Sequence, residues 1–128
     1  IYDGYSDIQI VILTTPHKLE KTNKIISKMG FDFVIPSYVT DTILDVAALI
    51  EQLDLIITPD TSIVHVASAF DKPIVSIHEK DKESYRLWKP ASKLSKTVFA
   101  KSSYGLFDYS VSDIVDASLE MINKINKV

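Results

Sequence analysis

The stretch from Asp54 to Ile77 constrains the fold more than any other part of the chain. Leu55-Ile56-Ile57 is a short apolar run of the kind found in a strand buried on both faces, and Pro59 stops it. Asp60-Thr61-Ser62 then supply three small oxygen-bearing side chains where a helix should begin, which is N-cap chemistry. Ile63, Val66, Ala67 and Phe70 recur at helical spacing, and Pro73 opens a second apolar strand from Ile74 to Ile77. A helix N-terminus at the carboxyl end of a parallel strand is a natural anion site, because free backbone N–H groups and the helix dipole point at the crevice there. His65 lies three residues after Ser62 and four after Thr61, on about the same helix face. A carboxylate, two hydroxyls and an imidazole are therefore expected at one crevice.

The rest of the chain repeats the alternation. Ile8 to Thr15 reads as a buried strand. Pro16 suits a first helical turn, Leu19, Asn23, Ile26 and Met29 form an apolar-leaning stripe, and Gly30 suits the helix stop. Phe31 to Pro36 is a short strand and Ser37 to Thr42 a polar connection. Asp41 or Thr42 caps a helix running to about Gln52, with Ile43, Val46, Ala47, Leu49 and Ile50 as its stripe. His78 to Pro90 is a charged segment with no clear period. Lys96 to Ala100 reads as another strand and Ser112 to Asn126 as a terminal helix. Strands alternating with helices predict an α/β fold, a Rossmann-like parallel sheet with helices on both faces, connected by right-handed crossovers. With no internal repeat or low-complexity linker, residues 1–128 are expected to form one domain.

Composition closes off several function classes. At 46% apolar and 24% charged, this is the make-up of an ordinary globular protein with a core. A net charge of −3 argues against a general nucleic-acid binder, while leaving room for an anionic nucleotide at a local helix end. With no cysteine there is no disulfide frame and no thiolate metal site, which fits a reducing compartment. The histidines, at 17, 65 and 78, lack metal-ligand spacing, so no metal is expected. Asp60, Ser62 and His65 do not suggest a hydrolytic triad, since they share one short segment and no Gly-x-Ser-x-Gly elbow occurs. No apolar run approaches the ~20 residues of a membrane span, and no signal peptide is visible. The chain opens on Ile1 without Met, the expected look of a domain cut from a longer protein.

Pro59-Asp60-Thr61-Ser62-Ile63-Val64-His65-Val66-Ala67-Ser68-Ala69, followed by Lys72-Pro73, resembles the signature of the heptosyltransferase family, glycosyltransferase family 9. The resemblance extends back through Asp45-Val-Ala-Ala-Leu-Ile50 and on to Trp88-Lys89-Pro90. It implies the C-terminal, donor-binding half of a GT-B glycosyltransferase. It further implies a longer enzyme, with an N-terminal acceptor domain carrying the catalytic base and an upstream lysine turn that contacts the donor phosphates.

The resemblance assigns donor binding to Asp60, Thr61, Ser62 and His65, the last facing the phosphates. It places Glu20 at the donor ribose, against the alternative of a solvated partner for Lys24. Thr14 and Thr15, ending the first strand, and Thr40 and Asp41, following the second, are further candidates. The donor implied is a nucleoside-diphosphate sugar such as ADP-heptose, with no other cofactor. The partner implied is a glycolipid acceptor of the lipopolysaccharide-core kind, reached through the other domain at the cytoplasmic face of the inner membrane by peripheral association. One departure stands out. Family members typically end the strand after the signature in a glycine turn, and this chain reads Ile77-His78-Glu79-Lys80-Asp81. Two other readings remain open at this point: a non-catalytic nucleotide-binding module, and a different GT-B enzyme such as a nucleotide-sugar epimerase.

Overall fold

A computed structural model describes residues 5, 7–102 and 108–127; of the opening residues, 1–4 and 6 lie outside it. The chain divides into two compact units, one running to Leu49 and one starting at Ile50.

In the first unit, β1 (Ile10–Ile12) pairs in parallel with β2 (Val34–Pro36), Ile10 opposite Val34. A 3-10 turn, Pro16–Lys18, leads into α1 (Leu19–Met29). Gly30 ends that helix at φ 67°, the left-handed conformation a residue without Cβ adopts freely. β1 is shorter than the predicted Ile8 to Thr15 because only Ile10–Ile12 find ladder partners on β2. The least exposed positions of α1 are Leu19, Thr22 and Ile26; Asn23 and Met29, expected on the inner stripe, are exposed. Leu19 and Ile26 thus lie inward as expected, with Thr22 beside them in place of Asn23. α2 (Ile43–Gln52) spans the point where the units divide. Leu49 and Ile50 are buried as expected, whereas Ile43, also assigned to the stripe, is 54% exposed in the first turn.

The second unit is a three-stranded parallel sheet of order β3-β4-β5, built from Ile56–Pro59, Ile74–His78 and Ser95–Phe99. β4 lies between its neighbours, and Ile74, Val75 and Ser76 are fully buried. This is why the run reads as continuously apolar rather than alternating. α5 (Val111–Asn126) covers one face, where Val75, Val98, Ala117 and Met121 form a core flanked by Leu55, Leu94 and Ile114. On the same face Lys96 reaches Glu120 at 2.9 Å and Lys124 reaches it at 2.7 Å; these two bonds hold the Glu120 carboxyl down at about 2. On the other face Ser76 and Thr97 pair through their hydroxyls at 3.2 Å. α3 (Ser62–Ala69) packs on β3 and β4 with Val64 and Ala67 buried. Phe70, read as inward, is the C-cap and is exposed. Asp71 turns the chain at φ 50°, and its carboxylate accepts the Lys93 N–H at 2.9 Å.

The segment from His78 to Pro90 contains a helix the periodicity did not reveal, α4 (Lys82–Trp88). Asp81 caps it, accepting the N–H groups of Glu83 and Ser84. Only Ser84 and Tyr85 are half-buried in it, and two inward positions on two turns are too few to give a period.

Candidate functional site

The carboxyl ends of β3 and β4 lie side by side because the strands are parallel and in register, Pro59 opposite Ile77. The Asp60 N–H extends that ladder by one bond, to the Ile77 carbonyl at 2.9 Å. This places Asp60 against the last residue of β4, His78. The Asp60 carboxylate, 29% exposed, stands 3.5 Å from His78 Nδ1. His78 itself is 2% exposed, and its Nε2 is buried with no hydrogen-bond partner.

α3 begins one residue later. Its N-cap is Thr61, in extended conformation, whose hydroxyl accepts the Ile63 N–H at 3.3 Å and whose carbonyl accepts the Val64 N–H at 3.1 Å. Those bonds leave the N–H groups of Thr61 and Ser62 out. Asp60, one of three candidates for capping, does not cap; its carboxylate faces His78 instead. Ser62 is the first helical residue and is exposed. His65, also exposed, sits edge-on to Trp88 of α4, ring centroids 5.6 Å apart.

Tyr85 closes the site from α4. Its ring meets His78 edge-on at 5.1 Å and Phe99 at 4.9 Å, and its hydroxyl joins Thr97 at 3.0 Å. Asp60, His78, Glu79, Ser84 and Tyr85 line an open cavity of about 180 Å³. Burial pushes the His78 imidazole below its ordinary value; the Asp60 carboxylate opposes that and the His65 ring adds to it. His78 is therefore neutral around pH 7. With Nδ1 facing a carboxylate, the favoured tautomer carries its proton there.

The remaining candidates belong to the first unit. Thr14 and Thr15 follow β1, and Thr40 and Asp41 lie in the connection after β2. Both connections leave the carboxyl end of that parallel pair, where the Ser37 N–H bonds the Ile12 carbonyl at 3.0 Å. Thr40 is buried and Thr15 touches His17 at 3.5 Å. Glu20, 84% exposed, pairs with Lys24 at 2.9 Å, the solvated i,i+4 arrangement. Thr42 and Asp45 cap α2 reciprocally: the Asp45 carboxylate accepts the Thr42 N–H at 2.8 Å and its hydroxyl at 3.0 Å, and Thr42 accepts the Asp45 N–H at 3.2 Å.

His78 and Ser84, which line this cavity, are not among the candidates read from the sequence; Tyr85, with Trp88, reads from the sequence as covering or packing the crevice mouth. A signal for His78 was present, since ligands sit outside the carboxyl ends of parallel strands and His78 directly follows Ile77. Ser84 needed the helix α4 to be known first.

Among the described residues no group of three or more His, Asp or Glu is arranged to hold a metal ion, and no helix is long and apolar enough to cross a membrane.

The family model of glycosyltransferase family 9 (heptosyltransferase) matches residues 6–105. No curated protein matches the chain. The solved structure of E. coli ADP-heptose LPS heptosyltransferase II is similar, with a TM-score of 0.62 at 20% sequence identity. The alignment covers 91% of this chain and 36% of that one, so this chain spans little more than a third of that protein's length.

Proposed function

The chain belongs to glycosyltransferase family 9, the heptosyltransferase family, and from that premise we propose that it holds the nucleoside-diphosphate part of a sugar donor at the start of α3. The observation that carries this is the pair of N–H groups of Thr61 and Ser62. They lie at the carboxyl end of β3 and are not used by the cap. A pyrophosphate there would accept both bonds and meet the positive end of the helix dipole. His65, one turn further in, would add a donor or, when protonated, a charge toward the leaving diphosphate. Asp60 would serve the sugar end, where a carboxylate accepts hydroxyl protons and repels phosphate.

In the transfer itself, a base elsewhere would deprotonate an acceptor hydroxyl as the bond from sugar to diphosphate breaks. The helix end would stabilise charge growing on the leaving group. ADP-heptose as donor, a lipopolysaccharide-type glycolipid as acceptor and a peripheral place at the inner membrane face are part of this proposal. They rest on the family and on the words that describe the E. coli protein.

The test is calorimetric titration of the chain with ADP, UDP and GDP. Binding of at least one, weakened about tenfold or more in Ser62→Pro, which removes one of the two N–H donors, is the expected result, since losing a bond to a charged group costs about 1.5–3 kcal/mol. Binding that Ser62→Pro leaves unchanged would place the nucleotide elsewhere.

A further inference from the structure

His78 has no part in the function just proposed, yet it is a buried, ionisable side chain at the mouth of the second unit's cavity. It is buried, its Nε2 lacks a partner, and its Nδ1 faces a carboxylate at 3.5 Å. That separation exceeds the usual 2.7–3.2 Å range of an N–H···O bond, so the neutral pair is slack. A charged pair contracts to about 2.7–2.9 Å.

We propose that His78 is a positioning residue for Asp60. Neutral, it leaves the carboxylate turned to the 180 Å³ cavity and available to a ligand hydroxyl. Protonated from solvent, it draws Asp60 back into an ion pair and withdraws it from the ligand.

The surroundings favour this arrangement over a purely structural one. The groups facing His78 are Asp60 from the end of β3, His65 from α3, Tyr85 from α4 and Glu79 next along the chain. Tyr85 is tied to Thr97, and Thr97 to Ser76, so the wall behind the imidazole is fixed by hydroxyl bonds. Asp60 is the partly exposed member, able to swing between histidine and cavity. A proton on His78 would put a second N–H, on Nε2, where no acceptor stands, which keeps the ring neutral until the solution is acidic. The ligand half of this inference rests on the donor-site reading above; the coupling of the two side chains does not.

The experiment has two arms. In the first, nitrogen NMR follows the imidazole of His78 against pH in the parent chain and in Asp60→Asn, with His78→Gln for assignment. The expected result is a neutral form protonated on Nδ1, and a titration midpoint that falls by about 0.5 or more in Asp60→Asn as the attraction is lost. An unchanged midpoint, or a proton on Nε2 in the neutral form, would overturn the coupling.

In the second arm, affinity for the sugar nucleotides ADP-glucose, UDP-glucose and GDP-mannose, each beside its nucleoside diphosphate, is measured at pH 8 and at the His78 midpoint. The sugar-dependent part of the affinity should fall by up to about twofold at the midpoint, where half the molecules carry the proton. His78→Phe, which takes up no proton, should keep that part at pH 8 and show no fall on acidification. His78→Gln, neutral at any pH, should likewise abolish the pH dependence. The same acid fall in His78→Gln as in the parent would overturn the positioning role. Failure of the parent to bind any nucleotide would overturn the donor-site reading and this ligand arm with it, while leaving the NMR coupling to stand or fall alone.

Discussion

Two helices of this chain begin on a threonine and use it differently. α2 and α3 each follow a parallel strand, α2 after the connection 37–42 and α3 after Asp60 and Thr61, each with a threonine at the cap. At α2 the acid three residues on folds back, and the Asp45 carboxylate takes both the N–H and the hydroxyl of Thr42. The N–H groups of Thr42 and Asp45 are thereby taken up by the protein. At α3 the corresponding residue after Thr61 is Val64, which has nothing to give back. The nearby acid, Asp60, precedes the cap and faces His78 across the sheet edge. At α2 a side chain takes up the cap residue's own N–H, and at α3 the cap leaves the Thr61 N–H out. That difference comes down to one position, the third residue after the cap.

The sharpest way to break this comparison is to remove an open donor without touching the helix. Ser62→Pro does so. Ser62 is the first helical residue, where proline is tolerated, and Thr61 already has φ −143° and ψ 177°, the extended backbone that proline asks of its predecessor. Nucleoside-diphosphate affinity should fall by about tenfold or more, with the melting temperature within a degree or so of the parent. Ser62→Ala, measured beside it, separates the lost N–H from the lost hydroxyl. A proline variant that binds like the parent would show that α3 is no more a ligand site than α2.

Thr42→Ala is the mirror experiment. It should cost about 1 kcal/mol of stability, as loss of a threonine cap generally does, and lower the melting temperature by a few degrees. If that helix start is purely structural, nucleotide affinity should not change once binding is compared well below the transition.

The smallest effect is the acid limb of stability. The backbone and hydroxyl bonds from Thr42 hold the Asp45 carboxyl below its ordinary 3.8. A lowered carboxyl pKa means the unfolded chain takes up the proton first as pH falls. The cap's contribution is therefore whole above 3.8 and drains away through the lowered folded value. Asp45→Asn should flatten this part of a stability-against-pH curve by lowering the plateau above about pH 5, while leaving the acid end, where the carboxyl is protonated in the parent too, nearly unshifted. An unchanged acid limb would mean that the reciprocal cap contributes little in solution.

What was legible from the sequence divides along the range of the interactions. The strand–helix–strand order, the proline stops, the Gly30 terminator and the start of α3 at Thr61 and Ser62 all follow from neighbours within a turn or so. Local chemistry writes those directly. The family could be recognised for the same reason, since its signature is one uninterrupted segment, and the match over residues 6–105 agrees. On α1 the expected Leu19 and Ile26 lie inward, while Thr22 rather than Asn23 completes the face, two adjacent polar residues between which the pattern does not discriminate. α4 was missed because it presents only Ser84 and Tyr85 inward.

The pairing of Asp60 with His78 belongs to tertiary structure alone. Eighteen positions in sequence separate them, and what joins them is the parallel register that sets Pro59 opposite Ile77. Register is chosen by the whole sheet, through the burial of Ile74, Val75 and Ser76 between β3, β5 and the helices, and no short window of the chain contains that choice. The sequence by itself determined the fold class and that a helix would open on a polar crevice. Only the packed sheet decided which carboxylate would stand before a buried imidazole and which would be used up as a cap.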